Sequence, residues 1–117
     1  MKVRLSLLAA LVGLSIGCGS SSPSSPSNPG TPVSIVSGSS ALTTTAYAPN
    51  PVSIAVGGTV TWTNNDITTH TATADNGSFS SGNIAPGASF SRTFSTAGSF
   101  TYKCTIHPNM VGTVNVQ

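Results

Sequence analysis

Four residues of this 117-residue chain can do chemistry together: His70, Cys104, His107 and Met110. The last three lie in the run Cys104-Thr105-Ile106-His107-Pro108-Asn109-Met110, a C-x2-H-x2-M spacing. Two imidazoles and a thiolate in one plane, with a thioether as weak axial ligand, are the donor set of a blue-copper electron-transfer site. The chain has only two histidines and two methionines, and one methionine is residue 1. Every histidine and the internal methionine therefore fall into one constellation. Zinc also accepts Cys and His, but the added thioether favours copper. Taken singly, each residue has a bland reading. Cys104 alone reads as a buried inert thiol, Met110 as a core gap-filler and His70 as a satisfied structural histidine. It is the joint spacing that points to a single copper ion per chain.

The elements that must position these residues are strands. Charged residues make up 5% of the chain, and Thr, Ser, Gly and Val dominate, a composition that favours strands and turns. Turn signals recur at Asn50-Pro51, Gly57-Gly58, Asn76-Gly77, Pro86-Gly87 and Ala97-Gly98. Between them, residues alternate with period two. Val60 and Trp62 share a face opposite Thr59, Thr61 and Thr63, while Phe100, Tyr102 and Cys104 share a face opposite Thr101 and Lys103. This pattern predicts an all-β domain, a small Greek-key sandwich, with strands over 33–37, 42–47, 51–56, 59–64, 69–75, 88–95, 99–104 and 112–116. The alternation aims Cys104 at the core from a strand end, leaves His107 and Met110 on the following turn, and places His70 near the start of another strand. Trp62, Tyr102 and Phe100 read as core. Phe90, Arg92 and Phe94 share a face, so Arg92 is expected to snorkel at a sheet end or beside a bulge. Pro108 is expected to stiffen the ligand loop.

Residues 1–17 carry a different message. A basic start, Lys2 and Arg4, precedes an apolar run from Leu5 to Ile16 that is short for a membrane span. Together they read as a lipoprotein-type export signal. Leu14-Ser15-Ile16-Gly17-Cys18 is similar to a bacterial lipoprotein box, with Cys18 as the lipidation site and Ser15 where that box usually has leucine. Residues 18–31 read as a Ser/Pro-rich tether, able to reach roughly 40 Å at about 3.1 Å per residue. The copper-binding domain is expected over 32–117. Placed this way, the chain is exported to the periplasm or cell surface and lipid-anchored.

The net charge of +2 comes from Lys2 and Arg4; beyond residue 17, Arg92 and Lys103 balance Asp66 and Asp75. A neutral domain has no basic stripe for nucleic acid. Asp66 and Asp75 have no obvious partner and do not suggest carboxylate catalysis. With both histidines used, no second copper centre is available, so the chain is expected not to be an enzyme.

The domain resembles the cupredoxins of the plastocyanin and azurin class. The resemblance is carried by Pro51-Val52-Ser53-Ile54-Ala55-Val56-Gly57, Thr61-Trp62-Thr63-Asn64, His70, the Pro86-Gly87 turn, Phe94, the run Ala97-Gly98-Ser99-Phe100-Thr101-Tyr102, and the Cys104 to Met110 loop with Gly112 and Val114. The short ligand loop is most similar to that of the amicyanins. The resemblance implies His70, Cys104 and His107 as in-plane copper ligands, Met110 as the axial one, His107 as the edge through which electrons leave, and Asn64, Thr71 and Pro108 as supports of the ligands. It also implies a monomeric one-electron carrier that meets redox partner proteins of the envelope. Two departures stand out. Thr71 stands where relatives often have Asn, so its N–H can still reach the Cys104 sulfur while the amide tie is lost. Asn109 replaces a common apolar residue, which is expected to make the docking patch more polar. The alternatives to an electron carrier are a copper-delivery protein and a structural sandwich module.

Overall fold

The computed structural model describes residues 30–117. The export signal over 1–17, the lipidation residue Cys18 and nearly all of the tether lie outside the described residues. Eight strands form two facing sheets: β1 Thr31–Ile35, β2 Tyr47–Ala48, β3 Val52–Ile54, β4 Thr59–Asn64, β5 Thr73–Ala74, β6 Ser89–Thr93, β7 Gly98–Lys103 and β8 Val111–Val116. One sheet has the order β2-β1-β4-β6 and the other β3-β8-β7-β5. Both are mixed, because β1 runs parallel to β4 and β3 parallel to β8, while the other pairs are antiparallel.

Period-two alternation determines which side chains are buried between the sheets. Val60, Trp62 and Asn64 of β4 are buried, and Thr59, Thr61 and Thr63 are not. Gly112, Val114 and Val116 do the same for β8. Trp62 is fully buried at the centre, with ring centroids 5.3 Å from Tyr102, 5.5 Å from Phe79 and 5.8 Å from Phe90. The Tyr102 ring packs against Gly112, its partner in register; a Cβ at that position would overlap the phenol ring. Arg92 is exposed on the edge strand β6, opposite Val60. It escapes the core at a sheet edge, in keeping with the expectation that it snorkels.

Two expected strands give way to irregular structure. The segment expected as strand 42–47 follows a 3₁₀ turn at Ser39–Ala41 and runs through further turns until Tyr47 opens the two residues of β2. Gly38 enters that turn at φ +75°, a left-handed conformation that glycine adopts without strain. The strand expected over 69–75 shrinks to Thr73–Ala74, and His70 is held by a single bridge to Ile84. In both places backbone groups bond to loops and side chains instead of a strand ladder: Thr71 N–H goes to the Cys104 sulfur and Ala72 N–H to Ser81 Oγ, while the Thr44 carbonyl takes the Asn50 amide.

Candidate metal centre

His70 follows a loop that Asn64 folds over itself. Asn64, buried at the end of β4, donates from Nδ2 to the carbonyls of Thr68 (2.7 Å) and Ile84 (2.9 Å). Its Oδ1 accepts from the Asp66 N–H at 2.9 Å. One amide thus fixes both ends of the loop, and the His70 backbone is locked to Ile84 in both directions. The imidazole is fully buried. Its Nε2 lies 2.8 Å from Asp66 Oδ2 and 3.1 Å from Ser39 Oγ.

Asp66 is the residue that sequence reasoning passed over. It is buried, and its carboxylate accepts from the N–H groups of Gly38 and Ile67 and from the Ser39 hydroxyl as well as from His70. The hydrogen bond to His70 first, then those from Gly38 and Ile67, draw its carboxyl down from 3.8 to about 2. An ionised carboxylate only accepts, so His70 Nε2 must carry the proton. The lone pair then sits on Nδ1, which faces Cys104. A carboxylate that holds a ligand histidine in the metal-binding tautomer also raises its basicity as a ligand.

Cys104 comes immediately after β7 and is fully buried. The loop behind it closes on itself: Met110 N–H donates to His107 C=O (2.9 Å), and Cys104 N–H donates to Met110 C=O (3.1 Å). Met110 is fully buried too, and of the four expected ligands only His107 reaches the surface, half-buried. Thr71 N–H points at the Cys104 sulfur at 3.3 Å, as expected. Thr71 has no side-chain amide, but its hydroxyl makes a tie of its own to the ligand loop. Thr71 Oγ1 accepts from Thr105 N–H at 2.9 Å and lies 3.2 Å from the Thr105 hydroxyl. Tyr47 reaches the same residue from the core, its hydroxyl donating to Thr71 C=O at 2.6 Å. Burial pushes the Tyr47 hydroxyl far up, so it stays a neutral donor. Pro108 is exposed beside His107.

The donors converge. Cys104 Sγ is 3.8 Å from His70 Nδ1 and 3.9 Å from His107 Nδ1, and the three ligand atoms lie within 4.8 Å of one another. Metal–nitrogen and metal–sulfur bonds of about 2.0 and 2.3 Å at trigonal angles separate such donors by roughly 3.8 Å. The two sulfur–nitrogen distances therefore suit a metal that Cys104, His70 and His107 would hold between them. The profile of "Copper binding proteins, plastocyanin/azurin family" matches residues 34–117.

The chain belongs to the plastocyanin/azurin family of copper-binding proteins. Its cofactor is one copper ion. Among solved structures, this cupredoxin is similar to a "Novel Purple Cupredoxin from Nitrosopumilus maritimus" (34% identity, TM-score 0.69), covering 74% of this chain and 99% of that one. It is also similar to the Cu(I) form of an amicyanin mutant (27% identity, TM-score 0.64), covering 77% and 84%. A copper-containing nitrite reductase from Thermus scotoductus SA-01 matches at 25% identity and TM-score 0.63, but over only 22% of its own chain.

Two residues in contact with the His70 imidazole escaped the sequence, Asp66 and Ser39. Asp66 carried one weak signal, its place four residues before His70. Asn109, expected to make the docking patch more polar, is exposed, and its amide reaches the carbonyls of Ser40 (3.1 Å) and Leu42 (2.8 Å).

Proposed function

We propose that this cupredoxin is a one-electron carrier at the cell envelope, with a single type 1 copper held by His70, Cys104, His107 and Met110. Copper supplies the one-electron couple, and the protein's residues do the rest. Thr71 donates its N–H to the Cys104 sulfur and Asp66 holds the His70 tautomer, so the donor atoms need not reorganise. His107 provides the edge for electron exchange. The observation that carries this reading is the difference in burial: three ligands are fully buried and one reaches solvent. A route for electrons is open where a route for water or substrate is closed. Around His107, the loop from Thr105 to Met110 bears no charge, and Ile106 is 46% exposed. Such a tip suits a partner met through apolar contact rather than strong steering.

The closed site speaks against copper delivery, which needs an exit for the metal. Non-enzymatic function is supported by the absence of a third histidine anywhere in the sequence. The expected test is direct. Copper(II) added to the protein gives an intense blue or purple absorption that bleaches with a reductant and returns with an oxidant, without loss of metal. Metal lost on each reduction would instead favour delivery. Envelope placement rests on the segment before residue 18; incorporation of a labelled fatty acid that disappears in Cys18→Ser checks the anchor.

A further inference from the structure

One irregular segment touches both ligand-bearing parts of the site. From its first half, Ser39 lies against the His70 imidazole, and the Gly38 N–H binds Asp66. From its second half, the carbonyls of Ser40 and Leu42 receive the Asn109 amide, and the Thr43 carbonyl receives Val111 N–H at 3.3 Å. A helical turn leaves its last carbonyls without partners inside the turn. Here the N–H groups of Ala41 and Leu42 use the Gly38 and Ser39 carbonyls, and those of Ser40 and Leu42 are satisfied by Asn109. A primary amide has two N–H donors on one nitrogen, and both are used. Asn109 sits between the ligands His107 and Met110, so the loop is fastened at its centre.

We propose that Asn109 is a positioning residue: by capping the 38–42 turn from across the fold, it holds the His107–Met110 loop in its ligand geometry without help from the metal. The proposal deepens the electron-carrier reading and rests on it for its functional meaning, although the clamp itself can be measured without copper. The 38–42 turn then acts as a shared abutment. It fixes the His70 side through Ser39 and the loop side through Asn109, so the in-plane donors keep their spacing whichever oxidation state is bound. Loss of a neutral, solvent-accessible pair of hydrogen bonds corresponds to roughly a tenfold change in local opening.

The test uses the metal-free protein and two variants, Asn109→Asp and Asn109→Leu. The first keeps the shape but turns two donors into acceptors facing two carbonyls; the second removes all polarity. Ser40→Ala is the control, since Ser40 enters through its backbone carbonyl. Hydrogen exchange of the Cys104, Met110 and Val111 amides is expected to accelerate about tenfold in both Asn109 variants, with Trp62 and Val114 amides unchanged and Ser40→Ala like the parent. Unchanged exchange at Met110 and Val111 overturns the proposal. So does equal acceleration at Trp62, because Asn109 would then be a global stabiliser rather than a local clamp. In copper-loaded protein, electron self-exchange is expected to slow severalfold at unchanged copper content. A parent protein that takes up no copper would sink the electron-carrier reading and leave the exchange result standing.

Discussion

The metal-bearing tip and the outer face of the β4–β6 pair use similar polar residues in opposite ways. On the outer face, Thr59 pairs with Thr93, Thr61 with Ser91 and Thr63 with Ser89, each oxygen pair 2.8 Å apart. These are side chains directly opposite in register, and they satisfy one another. At the tip, Asn64, Thr71 and Asn109 reach backbone groups elsewhere in the chain, and Asp66 gathers four donors, two from the 38–39 turn and two from its own loop. The face repeats one local motif, so losing one rung leaves the others intact. The tip converges, so each bond sets where a ligand atom lies. Polar groups can therefore be equally well satisfied and yet differ greatly in what they control.

The sharpest break in that contrast is Cys104→Ser. It removes the thiolate while leaving a hydroxyl of similar shape in a fully buried place. The intense visible absorption is expected to vanish, because it needs the copper–sulfur bond, and copper(II) retention should fall sharply in an equilibrium dialysis. Retained colour in Cys104→Ser would mean that another sulfur or another site is responsible. No change on the hydroxyl face should approach this effect.

The same contrast explains what could be read from the chain alone. Period two was legible wherever both faces of a strand have distinct environments, as at Val60 and Trp62 or Val114 and Val116, and β4 has the expected limits. The candidate ligands were legible because their chemistry is rare and three of them are close in sequence. The segment 37–46 was not legible. Ser, Thr and Ala there lack a period, and its structure is decided by partners 27 to 69 residues away. Asp66 was missed for a related reason. Its position four residues before His70 would matter on a helix, but here the contact is made by a loop that Asn64 folds. Thr71 was read for the side chain it lacks, while its hydroxyl makes a tie of its own.

Asp66→Asn tests the convergent end of the comparison with a change of one atom. The amide cannot accept at both of its ends: with its oxygen toward His70, its NH2 faces the Gly38 and Ile67 N–H groups, and with its NH2 toward Nε2, His70 must shift to the tautomer with the proton on Nδ1. That proton occupies the position copper needs. Removing such a partner typically costs about 10- to 100-fold in metal affinity, and competition with a copper chelator would measure it. The pH dependence of the metal-free protein gives a second check. The Asp66 carboxyl is lower in the folded state (about 2) than its ordinary 3.8. As pH falls, the unfolded chain takes up this proton first, so the carboxylate's stabilisation is complete above about pH 4 and is lost as pH drops toward 2. Urea unfolding should therefore show a flatter pH dependence between 4 and 2 for Asp66→Asn than for the parent. Parallel curves would mean that the carboxylate is not held by these four donors.

The smallest effect belongs to the hydroxyl face, and its smallness is the point. Replacing Thr63 by Val and Ser89 by Ala removes both members of one rung, so neither partner is left without a mate. An exposed cross-strand pair is worth about 0.2–1 kcal/mol, and valine restores part of it through its β-branched shape and strand preference. The double variant is expected to unfold within about 0.5 kcal/mol of the parent in urea, with an unchanged copper spectrum. The copper spectrum is the stricter measure. Asn64, adjacent to Thr63 in β4, points to the other side of the sheet and holds the loop that carries His70. If the rung on the outer face steadied that loop through the strand, the spectrum would shift even though stability did not. An unshifted spectrum means that the pleat insulates the two faces and that copper geometry is set from the inner side alone.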